Sequence, residues 1–224
     1  MMYKELIIKN MAKFISKIIK TLIISDLFLN LGWGLLSPVF AIFILQNISN
    51  AQPLQAAKIA GLSALFYWIP RSFFQIPVGM YLDKKHGEKD DFWFMFTGLI
   101  LISLVPIGYS FSVVPWHIYL SQVIYATGMA MALPSWLAIF TRHIDKGKEA
   151  FEWSMETTAI GTGAGIAGGL SGIAVAIFGF KILFIFVSGF TLFSALILLL
   201  IRKNVFSREV HSAYLFGGKS VVEP

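Results

Sequence analysis

Four long stretches without a charged side chain constrain the fold of this chain more than any other feature. They cover residues 27–57, 92–141, 157–180 and 182–201. An α-helix needs about 20 apolar residues to cross the roughly 30 Å hydrocarbon core of a bilayer. A large buried helical core of a soluble protein would need polar outer faces, which these stretches lack. The chain is therefore predicted to be an all-α polytopic membrane protein that lies in the lipid bilayer.

The lengths of these stretches predict the number of spans. Residues 92–141 suffice for two helices joined at 110–116, with Pro115 near a helix start. Residues 59–82 are interrupted only by Arg71. We therefore expect six transmembrane helices, at 21–46, 57–82, 92–111, 115–141, 150–178 and 182–201. They form a six-helix domain at 21–202 between an N-terminal segment, 1–20, and a polar, poorly ordered tail, 203–224. The N-terminal segment is either an amphipathic helix on the cytoplasmic leaflet or an irregular cationic tail.

The distribution of basic residues predicts the orientation. All of the 18 Lys and Arg residues except Lys58, Arg71 and Lys181 lie in four segments, 1–20, 83–91, 142–149 and 202–224. Positive loops stay inside, so both termini are expected in the cytoplasm of a cell membrane protein. The net charge of +6 is thus a topology signal rather than a nucleic-acid footprint. The first apolar stretch carries Asp26 and lacks a small-residue cleavage site, so no cleaved signal peptide is predicted.

Polar side chains recur at helical spacing on four of the six spans. A polar residue facing lipid is costly, so such stripes indicate either a wet cavity or ordinary hydrogen bonding between helices. Their occurrence on four helices favours a cavity for a small solute. The candidate cavity residues are Asp26, Asn30, Trp33, Tyr67, Arg71, Gln75, Ser121, Tyr125 and Glu156.

Arg71 is the most informative single residue. It lies about 12 residues, or roughly 18 Å, from the cytoplasmic end of its span, close to the middle of the membrane. A lone Arg there costs at least ~2.5–3.5 kcal/mol on insertion scales. Arg71 is therefore either a cavity cation that meets an anionic group or joins a proton relay, or one half of a buried ion pair that fixes helix positions.

The fifth span carries a run of glycines, "GTGAGIAGGLSG". Glycines four apart allow helix backbones to approach closely in a membrane. A phosphate-binding loop is not predicted, because no strand precedes the run and no Lys follows it. The glycines expected to pack against other helices are Gly161, Gly165, Gly168 and Gly169.

The segment "GMYLDKKHGEKDD" resembles the loop signature between spans 2 and 3 of the major facilitator superfamily. Two departures stand out, since one extra residue precedes Gly87 and Glu88 occupies a usually basic position. The resemblance covers about residues 20–202 and implies the N-terminal six-helix half of that fold. It also implies a cytoplasmic gate, with Arg142 as the expected partner of Asp83; the alternative is a solvated loop that only sets topology. The gate residues would be Gly79, Asp83, Lys84, Gly87, Lys89 and Arg142.

The resemblance implies secondary transport of a small solute, by symport, antiport or facilitated movement, with a proton or another ion as a candidate partner. Transporters of this kind have two six-helix halves around a midplane site. We therefore expect a second six-helix half to complete the transporter. This half is either a second copy of the chain, in a homodimer, or another six-helix protein. The alternative is a non-transporting scaffold, an assembly partner or a truncated transporter product. No enzyme activity, cofactor, metal site or nucleic-acid partner is predicted, because no nucleophile-base pair, nucleotide loop or zinc-ligand spacing is present.

Overall fold

The computed structural model describes residues 15–85 and 87–206, and these residues form helices and turns without a strand. The N-terminal segment 1–14 and the tail from 207 lie outside the described residues. The elements are α1 (Lys17–Leu36), α2 (Phe40–Asn47), α3 (Pro53–Lys85), α4 (Glu88–Ser110), α5 (Pro115–His143), α6 (Glu149–Leu198) and a 3-10 turn (Leu199–Ile201). Within this part of the chain, four helices are long and apolar enough to cross a membrane: α1, α4, α5 and the stretch Glu149–Phe206. The predicted all-α membrane class is confirmed.

The first predicted span, 21–46, is not one helix. It divides into α1 and α2, because Pro38 has no backbone N–H to continue the ladder. The amide of Val39 instead bonds to the carbonyl of Leu36 at 3.1 Å, which is a tighter turn. A loop with left-handed backbone at Asn50 and Ala51 then leads to Pro53, the first residue of α3.

The 50-residue helix α6 consists of two segments, 149–178 and 180–198, that meet at Gly179. Gly179 has φ 73° and ψ 169°, a backbone region that is essentially restricted to glycine. The first segment follows α1 in parallel, since Gly163 lies at Leu27 and Gly168 at Pro38.

The second segment of α6 runs the opposite way along α1. Ser194 contacts Ser25, whereas Val187 lies against Gly32, further along α1. The chain therefore reverses direction at Gly179, as the predicted break between 178 and 182 requires.

Close backbone contacts hold α4 to α5. A Cβ atom added at Gly98 would lie 2.6 Å from the carbonyl oxygen of Gly128, which leaves no room for a side chain. Ser188 of α6 donates a hydrogen bond of 2.6 Å to the carbonyl of Ser103 on the other side of α4. Helix α3 packs mainly on α5 and α2, so much of its surface remains exposed.

Helices α3 and α5 end where α4 and α6 begin, and we call this region the charged end (Asp83, Asp91, Arg142 and Glu152). Three acidic residues occupy the first turn of α4, and Arg142 and His143 occupy the last turn of α5. Acidic residues at the start of a helix and basic residues at its end are both stabilised by the helix dipole. Ile15 and Phe206 pack at the same end, beside Phe92. The first and last described residues therefore lie at one end of the bundle.

Candidate functional site

A cavity of about 280 Å³ lies inside the bundle, between α1, α4, α5 and the first segment of α6. Its volume is slightly below the roughly 300–1,000 Å³ typical of sites for drug-sized molecules, so it suits a compact solute. Five of the predicted cavity residues line it, namely Asp26, Asn30, Trp33, Tyr125 and Glu156. The structure thus brings together polar residues from three of the four helices that carry polar stripes.

Aromatic rings form much of the cavity wall. Trp33 and Tyr125 stack with ring centroids 4.0 Å apart and planes inclined by 7°. Trp136 and Trp153 also line the cavity, with centroids 6.1 Å apart. The indole nitrogens of Trp33 and Trp136 are buried and have no acceptor among the described residues. The wall therefore offers aromatic faces together with two hydrogen-bond donors.

The cavity holds two carboxyl groups that have no cationic partner among residues 15–85 and 87–206. Glu156 is only 6% exposed, and its carboxyl group has no hydrogen bond or ion pair within the described residues. Asp26, on α1, lines the same cavity as Glu156, so negative charges on both groups would repel each other. Asn30 does not relieve this repulsion, because its amide donates to the backbone carbonyl of Asp26 at 2.8 Å. Ionised carboxylates in such a site need a counter-charge.

Arg71 and Tyr67 lie outside the cavity but connect to its wall. The Nη1 atom of Arg71 donates a hydrogen bond of 2.6 Å to the Tyr67 hydroxyl. Tyr67 in turn stacks on Tyr125 at 4.7 Å, and Tyr125 stacks on Trp33. The guanidinium group also lies 5.0 Å from the ring of Trp68. Among residues 15–85 and 87–206 no carboxylate pairs with Arg71, so the structure places neither Asp26 nor Glu156 against it.

Gln75 and Ser121 also lie outside the cavity. Gln75 lines an open cleft of about 600 Å³ between α3 and α5, together with Gly79 and Asp83. Ser121 is buried and donates to the carbonyl of His117 at 2.8 Å, while its hydroxyl faces Gly108 on α4. Ser121 therefore belongs to the α4–α5 contact.

The residues expected to form a gate are distributed over the charged end. Arg142 forms an ion pair with Asp91, which is fully buried, rather than with Asp83. Asp83 is exposed but lies near enough to repel Asp91. Gly87 is buried and precedes α4, and Lys89 lies 5.8 Å from the ring of Phe206. Lys84, at the end of α3, is exposed.

The glycines of α6 fall into two sets. Gly163 contacts Leu27 closely, and Gly168 lies within ordinary contact of α1. By contrast, Cβ atoms added at Gly161, Gly165 and Gly169 would meet nothing within 4 Å among the described residues. The regular four-residue series therefore lies on a face of α6 that this part of the chain leaves uncovered.

Sequence reasoning missed several residues of the cavity wall. Met95 and Leu99 from α4, Met129 from α5 and the indoles of Trp136 and Trp153 all line it. Trp136 lies about two turns beyond Met129, but this spacing does not distinguish a cavity wall, since apolar residues in a membrane helix suit lipid and cavity alike. The sequence therefore predicts the polar residues of the cavity, through the polar stripes, but not its apolar and aromatic residues.

Comparison with known families supports the architecture. The family model described as Major Facilitator Superfamily matches residues 22–218. A comparison with curated proteins gives no match. The match covers most of the chain, because it begins within α1 and includes all the later helices. Members of this family are transporters rather than enzymes. The chain therefore belongs to the major facilitator superfamily.

Proposed function

We propose that this chain is one six-helix half of a secondary transporter that moves a small solute across the cell membrane. The observation that carries the proposal is the cavity, which places Asp26, Asn30 and Glu156 inside an apolar bundle. Ionisable groups within membrane segments are expensive and mark solute or ion pathways. Transport would be driven by a gradient of protons or another ion, or by the gradient of the solute itself.

Six spans follow if α3 and both segments of α6 also cross the bilayer. Helix α3 has 33 residues and a rise of about 50 Å, which exceeds the thickness of the hydrocarbon core. Apart from Arg71, its charged residues are near its two ends. Because the chain reverses direction at Gly179, the two segments of α6 would then be two antiparallel spans. The division of α1 and α2 at Pro38 would then lie within the first span.

Exchange of Arg71 for lysine tests the transport function. Arg71→Lys should fold normally, because Arg71 makes ring contacts and a hydrogen bond to Tyr67 but no ion pair within the described residues. The guanidinium group of Arg71 is planar, so it can donate a hydrogen bond to Tyr67 and lie over the ring of Trp68 at the same time. The ammonium group of lysine is not planar and cannot make both contacts. We expect the rate of solute uptake to fall at least about tenfold. Uptake is measured in proteoliposomes with labelled amino acids, sugars, nucleosides and small organic cations.

Arg202→Lys is the matched control for this experiment. Arg202 also lies over aromatic rings, 5.2 Å from Trp93 and 5.4 Å from Phe206, but at the charged end and away from the cavity. Its exchange should leave uptake unchanged. Wild-type uptake by Arg71→Lys would contradict the role of Arg71, and absence of uptake of any solute by the wild-type assembly would favour a scaffold.

The orientation is testable because the chain has no cysteine. Basic residues concentrated at the charged end favour a cytoplasmic location for that end and for both termini. A membrane-impermeant maleimide added to intact cells should label Val113→Cys, which replaces a residue 69% exposed in the α4–α5 loop. It should not label Lys146→Cys, in the exposed loop at the charged end. The reverse labelling pattern would overturn the orientation.

The second half would cover α3 and the first segment of α6. Ser72 is exposed on α3, and Gln75 and Arg71 are half-exposed beside it. Polar groups in contact with lipid lose hydrogen bonds that a second half restores. The uncovered glycines of α6 allow another helix to approach closely. We propose two halves related by an axis along the membrane normal, with a second copy of the chain as one candidate.

Disulfide cross-linking tests this arrangement between two copies. Gly165→Cys lies on the uncovered glycine face, so two copies should form a cross-linked dimer on oxidation. Leu196→Cys replaces a residue that is 45% exposed on the second segment of α6, which is expected to face lipid. It should remain monomeric. Efficient cross-linking through Leu196→Cys and none through Gly165→Cys would contradict the proposed contact.

A further inference from the structure

We infer that the cavity binds a small organic cation that also carries a hydrogen-bond acceptor. This inference rests on the proposed transport function, because it names the class of solute for the same cavity. It follows from three properties of the lining residues: the sign of their charge, the nature of their rings and their unsatisfied polar groups.

The charge of the lining residues favours a cation over an anion. Among the described residues that line the cavity, Asp26 and Glu156 are the ionisable carboxylic acids and none is basic. Glu156 is more than nine-tenths buried, lines the cavity and has no partner in the part of the chain that the structure describes. A bound cation would supply the missing counter-charge, whereas an anionic solute would add to the repulsion between Asp26 and Glu156.

The wall matches the chemistry of an ammonium group. Cations bind over the faces of indole and phenol rings, and recognition of substituted ammonium groups by several such rings is a recurrent arrangement. Trp33, Trp136 and Trp153 contribute indole rings to this wall, whereas both faces of Tyr125 are covered, by Trp33 and by Tyr67. Met95 and Met129 add soft apolar surface that suits alkyl substituents on the nitrogen.

Two indole nitrogens specify the other end of the solute. Those of Trp33 and Trp136 are buried donors without an acceptor in the described residues. A buried donor left unsatisfied is costly, so a hydroxyl or carbonyl oxygen on the solute would be favoured. A compact amino alcohol has both features, and the cavity of about 280 Å³ accommodates a solute of that size.

The test compares three probes of nearly identical shape on the purified, detergent-solubilised full chain. Choline is the cation, 3,3-dimethylbutan-1-ol is its neutral carbon isostere and 3,3-dimethylbutanoate is an anion of similar size. Binding is followed by tryptophan fluorescence at constant ionic strength, since three of the 6 tryptophans line the cavity. We expect choline to bind at least about tenfold more tightly than the alcohol, and the anion not to bind.

Charge removal provides the second comparison. Glu156→Gln should weaken choline binding at least about tenfold and leave binding of the alcohol unchanged. Glu149→Gln is the matched control, because Glu149 is exposed at the start of α6 and lies outside the cavity. The three-probe comparison uses the unaltered chain and so remains decisive even if Glu156→Gln does not fold.

Equal binding of choline and the alcohol, tighter binding of the anion, or no saturable choline binding at millimolar concentration would each overturn the inference. In that case the carboxyl groups of Asp26 and Glu156 would be neutralised by protonation rather than by a bound cation. The outcome is separable from that of the transport proposal. Choline binding without movement of any solute would support the cation site and contradict the transport function. Uptake of a neutral or anionic solute without choline binding would support the transport function and contradict the cation site.

Discussion

Replacement of Gly98 by valine should abolish stable packing of α4 on α5. Even the first atom of a side chain there would lie 2.6 Å from the carbonyl oxygen of Gly128 and 2.9 Å from the amide nitrogen of Ala132. Both are backbone atoms, so relief requires the two helices to move apart. Overpacking of this kind costs typically 1–3 kcal/mol and occasionally more, and we expect at least about 3 kcal/mol here. Thermal unfolding in detergent, followed by circular dichroism, measures the loss.

Gly61→Val is the control for Gly98→Val. Gly61 is also within a helix, α3, but a Cβ atom there would meet nothing within 4 Å among the described residues. The same exchange should therefore leave the unfolding temperature nearly unchanged. Equal destabilisation by the two variants would show that the α4–α5 backbones are not in close contact.

Removal of the Arg142 charge should cause the second large effect. In Arg142→Gln the fully buried Asp91 loses its cationic partner while Asp83 and Asp90 continue to repel it. Breaking a fully buried pair costs about 3–5 kcal/mol. Arg142 is 34% exposed, so solvent screening lowers our expectation to about 2–3 kcal/mol. The free energy of unfolding in detergent is the measured quantity.

Two further variants identify the cause of that loss. Asp91→Asn combined with Arg142→Gln removes both charges and should recover most of the stability, because no unpaired buried charge remains. Lys146→Gln removes an exposed positive charge from the same end and should have little effect. A double variant as unstable as Arg142→Gln alone would indicate that Arg142 stabilises the fold through packing rather than charge.

Much of the helical layout could be predicted from the distribution of charge. Charge-free runs bounded the helices, and the break around Lys181 anticipated the reversal at Gly179. The partner of Arg142 could not be predicted in this way. Asp83 and Asp91 both lie at the charged end, and the contact between α4 and α5 selects Asp91. That choice depends on tertiary packing, which the spacing of residues along one helix does not reveal.

The candidate cavity was predictable only in its polar half. Asp26 and Glu156 stand out because acidic residues are rare in apolar spans. Trp136 and Trp153 do not stand out, since the same side chains suit lipid, a helix contact or a cavity wall. Arg71 illustrates a further limit: its position predicted a partner, but a hydroxyl and aromatic rings fill the role that a carboxylate was expected to fill.

The mass of the detergent-solubilised complex, combined with solute uptake by the same preparation, tests the central claim most directly. The chain has a mass of 25.0 kDa. If it is one half of a transporter, the active particle should contain two six-helix units, either two copies of the chain or one copy with a partner of similar size. A monodisperse particle with a single copy that still transports solute would contradict the account.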